Sequence, residues 1–141
     1  MHYVVEALVV GLYSTSVFLV LKEMCKIFGD YSNPSYLFYF SVGFMKHLMG
    51  YFTGIHNYYC FYGYACKKQE KQSYQQPHLN NTTNLLLESV LEGIWFLTFI
   101  LLLKSYISPI PLLIFLIGSF THILAEYVGV HHYFCDWCYI K

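Results

Sequence analysis

The sequence predicts an all-α membrane protein, with four transmembrane helices arranged as two tandem, duplicated helical hairpins in pseudo-two-fold symmetry. Three observations carry that prediction. Of 141 residues, 57% are apolar and 11% charged, too apolar a balance for an ordinary water-soluble globule. Four apolar stretches reach the roughly 20 residues that a helix needs to cross about 30 Å of hydrocarbon. The second half of the chain also repeats the first at its histidine, glycine and cysteine positions.

The four stretches run from Tyr3 to Leu21, Ser35 to Ile55, Leu85 to Leu103 and Pro111 to Val130. Span one has no basic leader and is longer than the apolar part of a signal peptide, so it is expected to be retained. Asp30, Ser32, Asn33 and Pro34 mark the turn after it, and Ser105, Ser108, Pro109 and Pro111 mark the turn after span three. Each pair of spans therefore reads as a tight antiparallel hairpin, one over residues 1–60 and one over residues 85–135. A polar linker, residues 61–84, contains KKQEKQSYQQPHLNNTTN and is expected to lie at the surface with no core of its own. Residues 136–141 form a tail, and four spans place both termini on one side.

An offset of 75 residues aligns the stretch from Asn33 with the stretch from Ser108. It pairs Gly43 with Gly118, His47 with His122, Gly54 with Gly129, His56 with His131, and Cys60 with Cys135. An offset of 82 does the same for spans one and three, setting Glu6 on Glu88 and Gly11 on Gly93. Two-span repeats keep one orientation in both copies, so the expected axis runs along the membrane normal.

Gly43, His47, Gly50 and Gly54 share one face of span two, as Gly118, His122, Ala125 and Gly129 share one face of span four. Small residues allow close helix approach in lipid, so each face is expected to be a helix seam with a buried histidine bonded across it. Glu6, Lys46, Glu88, Glu92 and Glu126 all fall in the bilayer half nearest the termini. A charge there costs on the order of several kcal/mol, so these residues are expected to form an interior polar network, with four acids as possible partners for Lys46. A vestibule on the terminal side fits this layout better than a continuous pore. A proton path through Glu6, Glu88, Glu92 and the histidines would need an oligomer or a movement.

The plain expectation is no cofactor, with two sharper alternatives. His47 and His122 have the two-helix placement that holds a b-type haem. Cys60, Cys66, Cys135 and Cys138, with His56 and His131 nearby, could form a zinc site or two disulfides tying the halves together. Cys135-Asp136-Trp137-Cys138 also has the spacing of a redox motif. Cys25 falls near the opposite membrane face and reads as an unpaired packing residue.

Lys67, Lys68, Lys71 and Lys141 on the terminal side, against Lys22, Lys26 and Lys104 on the other, give a marginal charge bias towards a cytosolic terminal face. The overlapping sequons at Asn80 and Asn81 pull the other way. With eight acidic residues against eight basic ones, nothing points to nucleic acid. No phosphate loop, nucleophile elbow or zinc-protease motif is present, which sets most enzyme classes aside.

GFMKHLMGYFTGIHNYYCFYGYAC, LLESVLEGIWFL and THILAEYVGVHHYFC resemble a group of short multi-span membrane proteins of large eukaryotic (nucleocytoplasmic) DNA viruses. The all-Lys, Asn-, Ile- and Tyr-rich composition agrees with an AT-rich source. The resemblance implies a structural protein of a virion's internal membrane, or a minor capsid component linking bilayer and shell. Its partners would be lipid, other membrane or capsid proteins, and a second copy of itself. The competing expectation is a membrane redox or metal-binding protein built on the histidine and cysteine pairs.

Overall fold

The computed structural model describes residues 2–29, 34–66 and 82–136. Its principal elements are the helices α1 (Tyr3–Phe28), α2 (Tyr36–Phe52), α3 (Ile55–Tyr62), α4 (Thr82–Leu103), α5 (Ile110–Val128) and α6 (Val130–Asp136). Three segments, Tyr3–Ile27, Leu85–Leu103 and Ile110–Val128, are long and apolar enough to cross a membrane. Their outward positions, among them Leu8, Leu12, Val20, Leu87, Ile94 and Leu112, are exposed aliphatic side chains of the kind lipid solvates.

Local chemistry explains the helix ends. The His2 imidazole accepts the Val4 N–H at the start of α1, and the Ser35 hydroxyl accepts the Phe38 N–H at the start of α2. Inside the helices, Ser14, Thr15, Ser41, Ser89, Thr98 and Thr121 donate their hydroxyls to carbonyls four residues back, which satisfies them without water.

Helix pairing departs from the hairpin expectation. α1 lies chiefly against α5, and α2 chiefly against α4, while sequence neighbours α1 and α2, or α4 and α5, touch less. Small residues decide this. A β-carbon at Gly11 would meet Phe115 and the Ser119 hydroxyl, and one at Gly118 would meet Ser14. On the other seam, a β-carbon at Gly43 would stand 2.5 Å from the Glu92 carbonyl, and one at Gly93 would stand 2.6 Å from the Phe40 ring. These backbones come closer than any larger residue permits, and that contact area outweighs the proximity imposed by a short turn.

The half of the bundle nearest the turns holds an apolar core of Phe18, Phe38, Val42, Phe96, Ile100, Leu113, Ile114 and Ile117. The opposite half holds the polar groups. There, two residues expected in the helix seams do something else. Gly54 and Gly129 have φ of +80° and +83° and break α2 from α3 and α5 from α6. A left-handed residue is strained with a β-carbon, which is why glycine marks both breaks. The helices α2 and α5 end at Phe52 and Val128, short of the expected ends at Ile55 and Val130.

The linker also begins later than its composition suggests. Phe61 and Tyr62 close α3, residues 64–66 are helical, and Ala65 and Cys66 are buried. Asp30, Ser32 and Asn33, residues 67–81 with both sequons, and the tail with Trp137, Cys138 and Lys141 lie outside the described residues.

Candidate functional site

The breaks at Gly54 and Gly129 turn α3 and α6 back over the ends of the long helices, and this creates the site. α3 lays the His56 ring on the His47 ring, with centroids 4.6 Å apart. α6 does the same with His131 and His122, at 4.4 Å. Gly50 makes room for the first pair, since a β-carbon there would sit 2.8 Å from His56 Nε2. Tyr59 reaches across from α3, packing on the His131, His122 and Phe134 rings.

Charged groups are gathered beneath these rings. The Lys46 ammonium donates to one Glu92 oxygen. His47 spans two carboxylates of α4, with Nδ1 2.9 Å from Glu92 and Nε2 3.1 Å from Glu88. The partners are α2 residues at 46 and 47 and α4 residues at 88 and 92, so this cluster is made across one close helix seam. On the other seam His122 Nε2 lies 3.5 Å from Glu6, which also accepts the Tyr64 N–H at 2.8 Å. His131 Nδ1 bonds Glu126 at 3.1 Å. Every member of the expected polar network is thus an internal partner of another group, and of the four acids open to Lys46 the structure selects Glu92.

The ring pairs and the charged cluster line a half-open cavity of about 540 Å³. Its polar lining is Lys46, His47, His56, Glu88, Glu92, Tyr59, His122 and His131, among walls that include Val10, Tyr13, Leu91, Trp95, Ala125 and Phe134. Mostly apolar walls with a few convergent polar groups are what small-molecule sites in proteins consist of. Two side chains fix the upper rim of the seams. Tyr13 donates its hydroxyl to the Lys46 carbonyl at 3.1 Å, and Trp95 donates its indole N–H to Thr121 at 2.8 Å.

Burial pushes the His56 imidazole down to about 3, with His47 and Lys46 adding to the effect and Glu92 opposing it. His131 moves down for the same first reason, against the pull of Glu126. Tyr59 is pushed above the ordinary phenol range by burial, with the charges of Glu6 and Glu126 adding to it. Burial therefore favours the uncharged forms of His56, His131 and Tyr59.

Both nitrogens of His47 are on carboxylate oxygens and His122 Nε2 faces Glu6, so a haem between these two histidines would have to displace those partners. Among the described residues no three histidine, cysteine or acidic side chains converge as metal ligands. Cys66 and Cys135 form a disulfide between residues 69 apart, and Cys60 is disulfide-bonded as well. Those sulfurs are not thiolates, so the zinc alternative finds no ligand set in this form of the chain. Cys25 is free and exposed at the other end of α1.

Tyr59, Tyr13 and Trp95 were not singled out by the sequence. A signal for the last two existed: the offset that aligns Gly11 with Gly93 also aligns Tyr13 with Trp95, two large side chains with a polar tip. Comparison of the chain with protein-family models, with curated proteins and with solved structures finds no match.

Proposed function

We propose that the chain is a four-span integral membrane protein, folded as a duplicated hairpin, whose working part is the histidine- and glutamate-lined cavity, and that this cavity binds a small molecule. The observation that carries the reading is the cavity itself. It places four histidines, two glutamates and a lysine around about 540 Å³ of space in the end of a bundle whose other end is apolar. A purely structural network needs no such recess, whereas small-molecule sites are concave and mostly apolar with a few convergent polar groups.

Two lines support the four-span duplicated architecture. α2 has 17 residues, about 26 Å of helix at 1.5 Å per residue, and packs along the spanning helix α4. Contacts also recur between aligned positions. His47 with Glu88 matches His122 with Glu6, His47 with His56 matches His122 with His131, and Gly11 on Phe115 matches Gly93 on Phe40. Lys46 and Glu92 break the match, since Thr121 and Val10 stand in their places.

The test is native mass spectrometry of the protein extracted gently from its membrane, with Ala125→Trp as a variant that fills the cavity. A non-covalent adduct on the wild type that the variant lacks is the expected result. Equal spectra with no adduct would favour the second reading, a structural membrane component, for which the disulfide that staples the two halves is the specific observation. A virion membrane or shell-linking role belongs to that second reading, and abundance in purified particles would support it.

A further inference from the structure

The cavity lies between the two close helix pairs, with Tyr13 of α1, His47 of α2, Trp95 of α4 and Ala125 of α5 among its walls. Along α4 it runs from Glu88 to Trp95, a rise of about 10 Å at 1.5 Å per residue, so its length follows the helix axis. Four of its wall residues are exposed: Ile55 of α3, Leu91 of α4, and Val130 and Tyr133 of α6. These border the mouth, and none of them carries a charge. The charged walls are withdrawn, since the side chains of Lys46, His47, Glu88 and Glu92 are 11–23% exposed and bond to one another across the α2–α4 seam. An entering molecule therefore meets aliphatic and aromatic surface, which holds water poorly and admits apolar molecules.

The mouth opens on the side of the bundle that lipid solvates. Leu91 stands on the same outward stripe of α4 as Leu87 and Ile94, both exposed, on a segment long and apolar enough to cross a membrane. α4 and α6, which carry Leu91, Val130 and Tyr133, scarcely touch each other, so the wall is open between them.

Resting on the ligand-binding reading above, we infer that the cavity takes one acyl chain of a bilayer lipid, which enters sideways between α4 and α6 past Leu91 and lies along α4 against Trp95 and Ala125. A recess elongated along the helix axis suits such an occupant, because lipid chains in a bilayer already lie in that direction. The lipid's polar end is left beside Tyr133, an aromatic residue with a polar tip of the kind that sits at headgroup level.

The test uses the full chain with Trp137→Phe, so that Trp95 is the only tryptophan. It is placed in nanodiscs of phosphatidylcholine brominated at mid-chain, whose bromines quench tryptophan on contact. Quenching of Trp95 is expected, and it is expected to be largely lost in Ala125→Phe, which fills the cavity, and in Leu91→Phe, which narrows the mouth. Both variants are first checked for helicity and for the Cys66–Cys135 bond, and two are used so that misfolding of one leaves the other. Native mass spectra of the wild type are expected to carry an adduct of phosphatidylcholine mass that Ala125→Phe lacks. Equal quenching in all three proteins would mean that lipid reaches Trp95 only from outside the bundle, and would overturn the assignment. No quenching by bromine, with an adduct of another mass, would also overturn the acyl chain while leaving a ligand site in place. No adduct, with Trp95 quenched by aqueous acrylamide instead of bromine, would mean that the cavity holds water, and would sink the ligand-binding reading as well.

Discussion

Lys46 and His47 are consecutive residues that meet the same carboxylate, and this doubling shows what the cluster costs and gains. An ammonium inside a bilayer is tolerated only when paired, and the Lys46 and Glu92 side chains are 11% and 14% exposed. Removing Lys46 leaves Glu88 and Glu92 with His47 alone between them and so an excess buried charge, and Lys46→Met is expected to destabilise the protein by about 3 kcal/mol or more. Adding Glu92→Leu is expected to recover most of that, because no uncompensated charge is then left buried. Unfolding in mixed micelles with rising SDS measures both, and a double variant no better than the single one would refute the pairing argument. Titration of the α3 and α6 rings gives a second prediction at this scale. His56 is held down to about 3, below its ordinary 6.5, and His131 is lowered too. Above 6.5 both states are neutral and nothing changes. As pH falls from 6.5 towards 3, the unfolded chain takes up protons that the folded chain refuses, so stability falls with pH across that window. The same SDS series run between pH 7.5 and 4.5 is expected to show this decline, with a shallower slope in His56→Phe. Equal slopes would mean that His56 is not the buried neutral ring described here.

Glycine serves two purposes in these helices, and the letter alone does not separate them. Gly43 is a contact glycine: a β-carbon added there would stand 2.5 Å from the Glu92 carbonyl oxygen, closer than van der Waals contact allows. Gly54 and Gly129 have nothing within 4 Å of such an atom and are chosen for their backbone, at φ of +80° and +83°. Gly43 and Gly54 stand on one helical stripe in the sequence, and Gly129 stands on the matching stripe with Gly118, which is why each stripe reads as a single seam. What the periodicity cannot reveal is that a helix stops one turn early, since the residues after each break remain helical and aromatic. The all-helical class and three helices long and apolar enough to span a membrane were legible, because burial and spacing act locally along each helix. The cavity was not, because it exists only when α3 and α6 fold back, and neither the pairing of α1 with α5 nor the reach of Tyr59 leaves a periodic trace. The two glycine roles separate by mutation. Gly43→Ala is expected to wedge α2 from α4 and disturb the Lys46–Glu92 pair, a loss of about 2 kcal/mol or more as in other overpacked contacts. Gly54→Ala should cost about 1 kcal/mol of backbone strain with the helix seam intact. Cysteine crosslinking across the α2–α4 seam checks the difference: it is expected to survive in Gly54→Ala and to fall in Gly43→Ala. Survival in both would remove the case for a contact glycine.

At the scale of the molecule, the disulfide between Cys66 and Cys135 joins the segment after α3 to the end of α6, beside the cavity wall at Phe134. Tyr64, two residues before Cys66, donates its N–H to Glu6 near the start of α1, so the start of α1, the segment after α3 and the end of α6 meet at one end of the bundle. That end carries bonded sulfurs, while the free thiol, Cys25, is at the other end of α1. Disulfides persist in oxidising compartments and are reduced in the cytosol. Persistence of the bond requires that this end of the bundle face an oxidising compartment, and the lysine bias, a difference of one charge, is too small to decide the side. Expressed in endoplasmic reticulum membranes and prepared as sealed microsomes with the cytosolic face out, the protein is expected to react with an impermeant polyethylene-glycol maleimide at Cys25 without permeabilisation. A tag on the C-terminus is expected to resist added protease until detergent is present. Cysteine-to-serine changes at Cys66 or Cys135 should leave this orientation unchanged but lower stability, by up to about 4 kcal/mol for a loop of this length. A protected Cys25 with a digested tag would place the terminal face in the cytosol, where glutathione would keep Cys66 and Cys135 apart and the rim of the cavity would lose its staple.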